Sequence, residues 1–294
     1  MSAPRLLTFG YGYVAQALAK RWPGEVTATA RAADTRARLQ ADGLRAVDPQ
    51  DAAALAEAVG AADAVLISAA PDEEGCPGRR ALAPLLRRSE RRPRWIGYLS
   101  STSVYGDLEG RWAFERSPLK GKSIHAVRRT AAEAEWLALG EETGTAVAVF
   151  RLGAIYGPGR SALDRVAGGE ATVTHKPGQV FSRVHVDDIA EALRRAFERP
   201  RAGAVYNVVD DEPSSAASVM REAARLLGVT PPSRVPLDQA DLSEEARRFW
   251  AECRRVSNAL AKAELGWRPA YPTFREGLAA IGRPFNDGSG VRAL

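Results

Sequence analysis

Short runs of apolar residues alternate along this chain with longer stretches in which apolar positions recur every three or four residues. The runs are Arg5 to Phe9, Val26 to Ala30, Ala64 to Ser68, Trp95 to Ser101 and Ala146 to Arg151. Each is too short for a helix and largely apolar on both faces, which predicts strands of a sheet covered on both sides. The periodic stretches predict helices: one running to Lys20, one over Asp51 to Val59, and one over Gly78 to Arg92 interrupted near Pro84. Another, Ile124 to Leu139, carries Val127, Ala131, Ala134 and Leu137 at helical spacing. Strand and helix in alternation predict an α/β fold built on a doubly wound parallel sheet.

The turn between the first strand and the first helix has a specific composition. Gly10-Tyr-Gly12-Tyr-Val-Ala15 follows a strand and opens a helix, the context a dinucleotide-binding turn requires. Gly10 permits the tight turn, Gly12 lets a pyrophosphate approach the backbone, and Ala15 allows the helix to pack closely on the strand. An NAD enzyme closes its second strand with an acidic residue for the ribose 2′-hydroxyl. Here Ala30 stands in that place and Arg31 follows, and a guanidinium suits a 2′-phosphate. NADP is therefore expected over NAD.

Composition sets the outer bounds. The 294 residues, 45% of them hydrophobic, have ample length for a core in one large domain with a lobe, or in two domains. No run approaches the roughly 20 apolar residues of a membrane span, and no leader is expected, because the first strand begins almost at once. Cys76 and Cys253 are too few for a disulfide framework and show no metal spacing, so a cytoplasmic protein without a metal is expected. The net charge of +5 and the cluster of Arg87, Arg88, Arg91, Arg92 and Arg94 raise nucleic acid as a partner. Without interleaved aromatics the cluster reads as a solvated helix end, and no nucleic-acid partner is expected.

Two segments carry a resemblance to a known family. Trp95-Ile-Gly-Tyr-Leu-Ser-Ser-Thr-Ser-Val-Tyr-Gly106 resembles the end of the fifth strand of extended short-chain dehydrogenase/reductases of the NAD(P)-dependent epimerase/dehydratase type. The resemblance puts the family's substrate-polarising serine or threonine at Ser101. It also puts His125 and Arg129 where the family carries its tyrosine and lysine, with Glu133 one turn on. In the family the tyrosine moves the proton and the lysine holds the nicotinamide ribose. An imidazole can move a proton near neutral pH, whereas a guanidinium can hold a ribose but not release a proton. His125, or the nearby Tyr105, is thus the expected proton-transfer residue, with Arg129 on the ribose. By the same resemblance Asp48 meets the adenine amino group, and Ser68, Ala69 and Ala70 pass beneath the cofactor ribose.

The resemblance continues through Phe150 to Arg160, Ser182-Arg-Val-His-Val-Asp-Asp188 and the closing stretch Arg255 to Gly277. It implies a Rossmann domain over 1–154 and 183–209, a substrate lobe over 155–182 and 210–282, and a mobile tail over 283–294. It also implies a homodimer paired through Gly78 to Arg92 and Ile124 to Leu139. Phe181 departs from the pattern, because nucleotide-sugar members carry a diphosphate-binding arginine there. Three functions stay open: an NADP-dependent oxidoreductase or epimerase-like enzyme acting on a small polar carbonyl or hydroxyl compound, an NADP-binding redox sensor without turnover, and a nucleotide-sugar epimerase or dehydratase.

Overall fold

The computed structural model describes residues 3–282; the tail expected to be mobile lies outside them. Its first half runs β1 (Leu6–Phe9), α1 (Tyr13–Ala19), β2 (Val26–Thr29), α2 (Ala33–Ala41), β3 (Arg45–Val47), α3 (Ala52–Ala61), β4 (Ala64–Ile67), α4 (Pro77–Arg88), β5 (Trp95–Ser101) and α5 (Ile124–Thr143). Strands Ala146–Leu152 and Ala204–Val208 complete a seven-stranded sheet. Its order is Ala204–Val208, Ala146–Leu152, β5, β4, β1, β2, β3, with every pair parallel. This is the expected doubly wound Rossmann sheet, and its order reverses between β1 and β4.

Side-chain alternation explains why these runs form strands covered on both faces. Leu6 of β1, Leu66 of β4, Trp95 and Leu99 of β5 and Phe150 pack to one side, against α1 and the helix Val186–Glu198. Leu7, Val65, Ile96, Tyr98 and Val149 pack to the other, against α3, α4 and α5. A separate core of Leu163, Val173, Met220, Phe274 and Leu278 forms the lobe. Ala261, Leu265 and Trp267, in the stretch expected to belong to that lobe, pack instead into the first face of the Rossmann core.

Two helices differ from the sequence reading. Pro84 does not interrupt α4, which runs from Pro77 to Arg88 and stops short of Arg92. Pro84 is exposed, so the carbonyl it leaves without an intrahelical donor faces water. Helix α5 extends to Thr143 and buries Ala126, Ala132, Glu133, Trp136 and Leu139. Val127, Ala131 and Ala134 lie on its exposed side. The small alanines gave no contrast between faces, and Trp136 with the charged Glu133 decides which one faces the sheet. The arginines around the α4 exit are bonded within the molecule: Arg87 to Glu142, Arg91 to Asp63, Arg92 to the Thr143 carbonyl and Arg94 to the Phe197 carbonyl. Among the described residues no helix is long and apolar enough to cross a membrane.

Glu133 is buried because a buried cation answers it. Arg151 Nη2 donates to Glu133 Oε2 at 2.7 Å and its Nε to Oε1 at 3.1 Å, while the side chains are only 5% and 4% exposed. Ser100 Oγ donates to Glu133 Oε1 at 2.5 Å, and Arg151 Nη1 donates to the Tyr105 hydroxyl and the Glu115 carbonyl. Removing one partner of such a pair strands the other charge in a dry site at a cost of about 3–5 kcal/mol. Glu133→Gln and Arg151→Met should each lower urea-unfolding stability by that amount. The double variant should lose less than the sum of the two, and full additivity would contradict a coupled pair.

Candidate functional site

The carboxyl ends of β1 and β4 meet where the strand order reverses, and an open α/β sheet binds ligands at such a crevice. Gly10 leaves β1 with φ +85°, a left-handed conformation that favours glycine, and its N–H donates to Thr29 Oγ1 at 2.9 Å. A Cβ on Gly10 would lie 3.1 Å from the Ala69 nitrogen, so the turn and the β4 exit close against one another. Gly12 is the N-cap of α1 and supplies no side-chain cap, with Ser68 Oγ beside the position a Cβ would take. Ala15 is fully buried against the sheet. The first N–H groups of α1 thus stay available to an anion. The backbone present fits a dinucleotide pyrophosphate, with Gly10 against Ala69 and Gly12 against Ser68 at the head of α1.

At the ends of β2 and β3 the chain places an arginine the sequence reading overlooked. Arg36 Nη1 donates to the carbonyls of Ala30 and Arg31, at 2.9 and 2.5 Å, and pairs with Asp48 at 2.8 Å. Arg31 itself is exposed. Asp48, the residue expected at the adenine, therefore enters the site already paired, and two guanidiniums flank the β2 exit. The signal was present in the spacing, since Arg36 stands one helical turn into α2, but a surface arginine has the same appearance in sequence.

Ser101 ends β5 half-buried, and its Oγ accepts the Ser103 N–H at 3.2 Å, which leaves the hydroxyl proton for another acceptor. The α5 N-terminus is held beside it, because Gly121 N–H donates to the Val104 carbonyl at 2.9 Å and a Cβ at Gly121 would meet Ser103 O at 2.4 Å. His125 is exposed on the first turn of α5. Arg129 lies one turn on and reaches back to β5, its Nη1 donating to the Leu99 carbonyl at 3.2 Å. Tyr105 does not serve as expected. It is fully buried, its hydroxyl donates to Asn207 Oδ1 at 2.6 Å and accepts from Arg151, and burial raises its pKa. Its proton is spent inside the core, away from any substrate.

A cavity of about 130 Å³ opens at Ser101, between Gly153 and Ala154 on one side and Phe181, Phe249 and Arg254 on the other. Phe249 and Arg254 come from a distant segment that no motif marked; two adjacent aromatics, Phe249 and Trp250, in an otherwise polar stretch were the available sign. Among the described residues no group of three or more His, Cys, Asp or Glu is placed to hold a metal ion.

Next to Ser182, in the wall of this cavity, the chain runs into a buried polar joint with the lobe. His185 caps the helix Val186–Glu198 through Nδ1, which accepts the Asp187 N–H at 3.2 Å, and burial lowers its pKa. Asp188 accepts the N–H groups of Ala270 and Tyr271, at 2.6 and 3.1 Å. Asp210 is 2% exposed and neither carboxylate oxygen has a hydrogen-bond partner among the described residues. Arg183 is nearby, but its Nη1 is committed to Phe181 and Ser214. Burial accordingly pushes Asp210 up to about 8.

The crevice, the glycine turn and the Ser101 segment fall inside residues 6–209, which match a single family along their whole extent. The chain belongs to the NAD dependent epimerase/dehydratase family. It is 40% identical, with a TM-score of 0.87, to a functionally unknown conserved protein from Silicibacter pomeroyi DSS, covering 95% of this chain and 98% of that one. The human epimerase family protein SDR39U1, solved with NADPH, has the same fold at 19% identity and a TM-score of 0.77, covering 95% and 99% of the two chains. A 3-diazoavenalumate denitrifying reductase from Streptomyces sp is 36% identical over 138 residues, 44% of this chain and 45% of that protein. The chain thus spans about half the length of the curated relatives it matches. As a member of this family the protein carries an NAD(P)-binding Rossmann domain.

The buried Asp210 makes stability depend on pH. Its folded value, about 8, lies above the ordinary value of 3.8, so the folded state holds a proton that the unfolded state releases. The stability this confers is full below about pH 4 and is lost as pH rises through 8. Between pH 5 and pH 9 the thermal midpoint of the wild type should fall further than that of Asp210→Asn, by roughly 5–10 °C. Parallel curves would show that Asp210 is not protonated in the fold.

Proposed function

We propose that this protein is an NADP-dependent oxidoreductase or epimerase-like enzyme acting on a small polar carbonyl or hydroxyl compound. The observation that carries this reading is the position of Ser101. It lies at the carboxyl edge of the sheet that bears the dinucleotide turn, in the wall of a cavity, with a hydroxyl proton to give. When bound, the reduced cofactor supplies a hydride to the substrate carbon. Gly10 and Gly12 seat its pyrophosphate, Arg31 and Arg36 face the adenosine 2′-phosphate, and Arg129 offers its remaining N–H groups to the nicotinamide ribose. Ser101 donates to the substrate oxygen and stabilises the charge that grows there. His125 delivers the proton that completes the alcohol, the role vacated by the absent tyrosine.

Support for NADP over NAD comes from Ala30 at the acidic position and the two guanidiniums beside it. The reading as an NADP-binding sensor without turnover draws on the bond from Arg129 to Leu99, which commits part of that guanidinium to the strand. A homodimer through α4 and α5 is also proposed, because Ile124 and Val127 are 56% and 51% exposed on α5. Light scattering at two concentrations should return a dimer mass, and a monomer at both would refute it.

NADPH should bind more tightly than NADH in a fluorescence titration. Arg31→Ala should cost NADPH about tenfold in affinity while leaving NADH in place. Ser101→Ala and His125→Ala should each lower kcat/KM by about 100-fold or more with cofactor affinity unchanged. Unchanged turnover in both variants would refute the enzymatic assignment, and NADPH binding without turnover on a broad carbonyl panel would favour the sensor.

A further inference from the structure

We infer that the Ser101 cavity is built for one uncharged aromatic ring whose side-chain carbon carries the reacting oxygen. This rests on the enzymatic reading above and names its substrate class.

Size comes first. A cavity of about 130 Å³ is close to the ~150 Å³ apolar cavity that accepts benzene, and far below the ~300–1,000 Å³ that larger ligands occupy. A nucleotide sugar would have to extend well beyond it. The wall comes second. Phe181 and Phe249 stack in parallel with ring centroids 5.0 Å apart, and Trp250 meets Phe181 edge-on at 5.2 Å. Both phenylalanines line the cavity, and Phe249 is 53% exposed, an apolar surface that a bound ring would cover. Aromatic pairs gain from offset and edge-to-face contact beyond the area they bury.

Charge comes third. Arg254 is the cation in the lining, and its Nη1 is already bonded to Glu252 Oε2 at 2.6 Å and to the Gly106 carbonyl at 2.8 Å. Glu252 lines the same cavity, so the pair cancels and no unpaired cation is offered to an anionic substrate. Phe181, at the position where the resemblance implies a diphosphate-binding arginine, turns a charged subsite into an aromatic wall. Ser101 is the polar group that orients the ring, through its hydroxyl proton.

The test compares benzyl alcohol with cyclohexylmethanol, equal in carbon count and hydrogen bonding, on the full chain saturated with NADP⁺. Saturation-transfer NMR reads binding directly, without turnover. Benzyl alcohol should bind about two- to tenfold more tightly, and Phe249→Leu, at an exposed position, should erase most of that preference while leaving NADPH affinity unchanged. In steady state the same variant should raise KM for benzaldehyde more than it lowers kcat. Equal binding of the two alcohols, binding of neither, or a ring preference that survives both Phe249→Leu and Phe181→Leu would overturn the inference. Ring binding without NADPH oxidation on a broad panel of carbonyl compounds would keep the aromatic pocket and remove the enzymatic reading. Turnover indifferent to the ring would do the reverse.

Discussion

The buried ion pair between Glu133 and Arg151 is the interaction on which the rest of this structure depends. Two charges withdrawn from water are tolerated only when each is fully hydrogen-bonded. That requirement recruits Ser100, Tyr105, the Glu115 carbonyl and, through Tyr105, Asn207. Asn207 in turn donates its backbone N–H to Glu115 Oε1 and its side-chain amide to the Ser257 carbonyl. One network thus ties β5, α5, two further strands of the sheet and the closing segment of the chain. Ser101 is aimed at the cavity because its neighbour Ser100 is tied to Glu133 on the opposite side of the strand.

The same network sets the position of α5, which carries His125 and Arg129. Helix α5 is anchored in the core by Glu133 and Trp136, with Arg129 adding one bond to the Leu99 carbonyl and His125 exposed on its first turn. The dinucleotide half is independent of this network, since its turn is set by backbone geometry at Gly10 and Gly12 and by the close approach of Ala69.

Much of this was legible in the chain. The parallel sheet followed from apolar runs too short for helices, and the dinucleotide turn from two glycines in strand-to-helix context. Ser101 followed from the resemblance of its segment. Other features were hidden because they are made by tertiary packing. The helical spacing of α5 was visible but its sheet-facing side was not, since alanines look alike on either side and a glutamate is a poor advertisement of burial until its arginine, 18 residues away, is seen against it. Tyr105 looked reactive by proximity to Ser101, yet the strand end turns its hydroxyl into the core. Arg36, Phe249 and Arg254 reach the site from helices and loops whose approach no local pattern encodes.

Deuterium transfer tests the proposed chemistry most directly. NADPH deuterated at the transferable C4 position would be incubated with the protein and a carbonyl panel, and the products read by mass spectrometry and NMR. Hydride transfer at the Ser101 site predicts one deuterium on the former carbonyl carbon of an alcohol product, formed about 100-fold more slowly when Ser101 is replaced by alanine. Bound NADPH that delivers no deuterium to any product, or delivery that persists unchanged without the Ser101 hydroxyl, would contradict it.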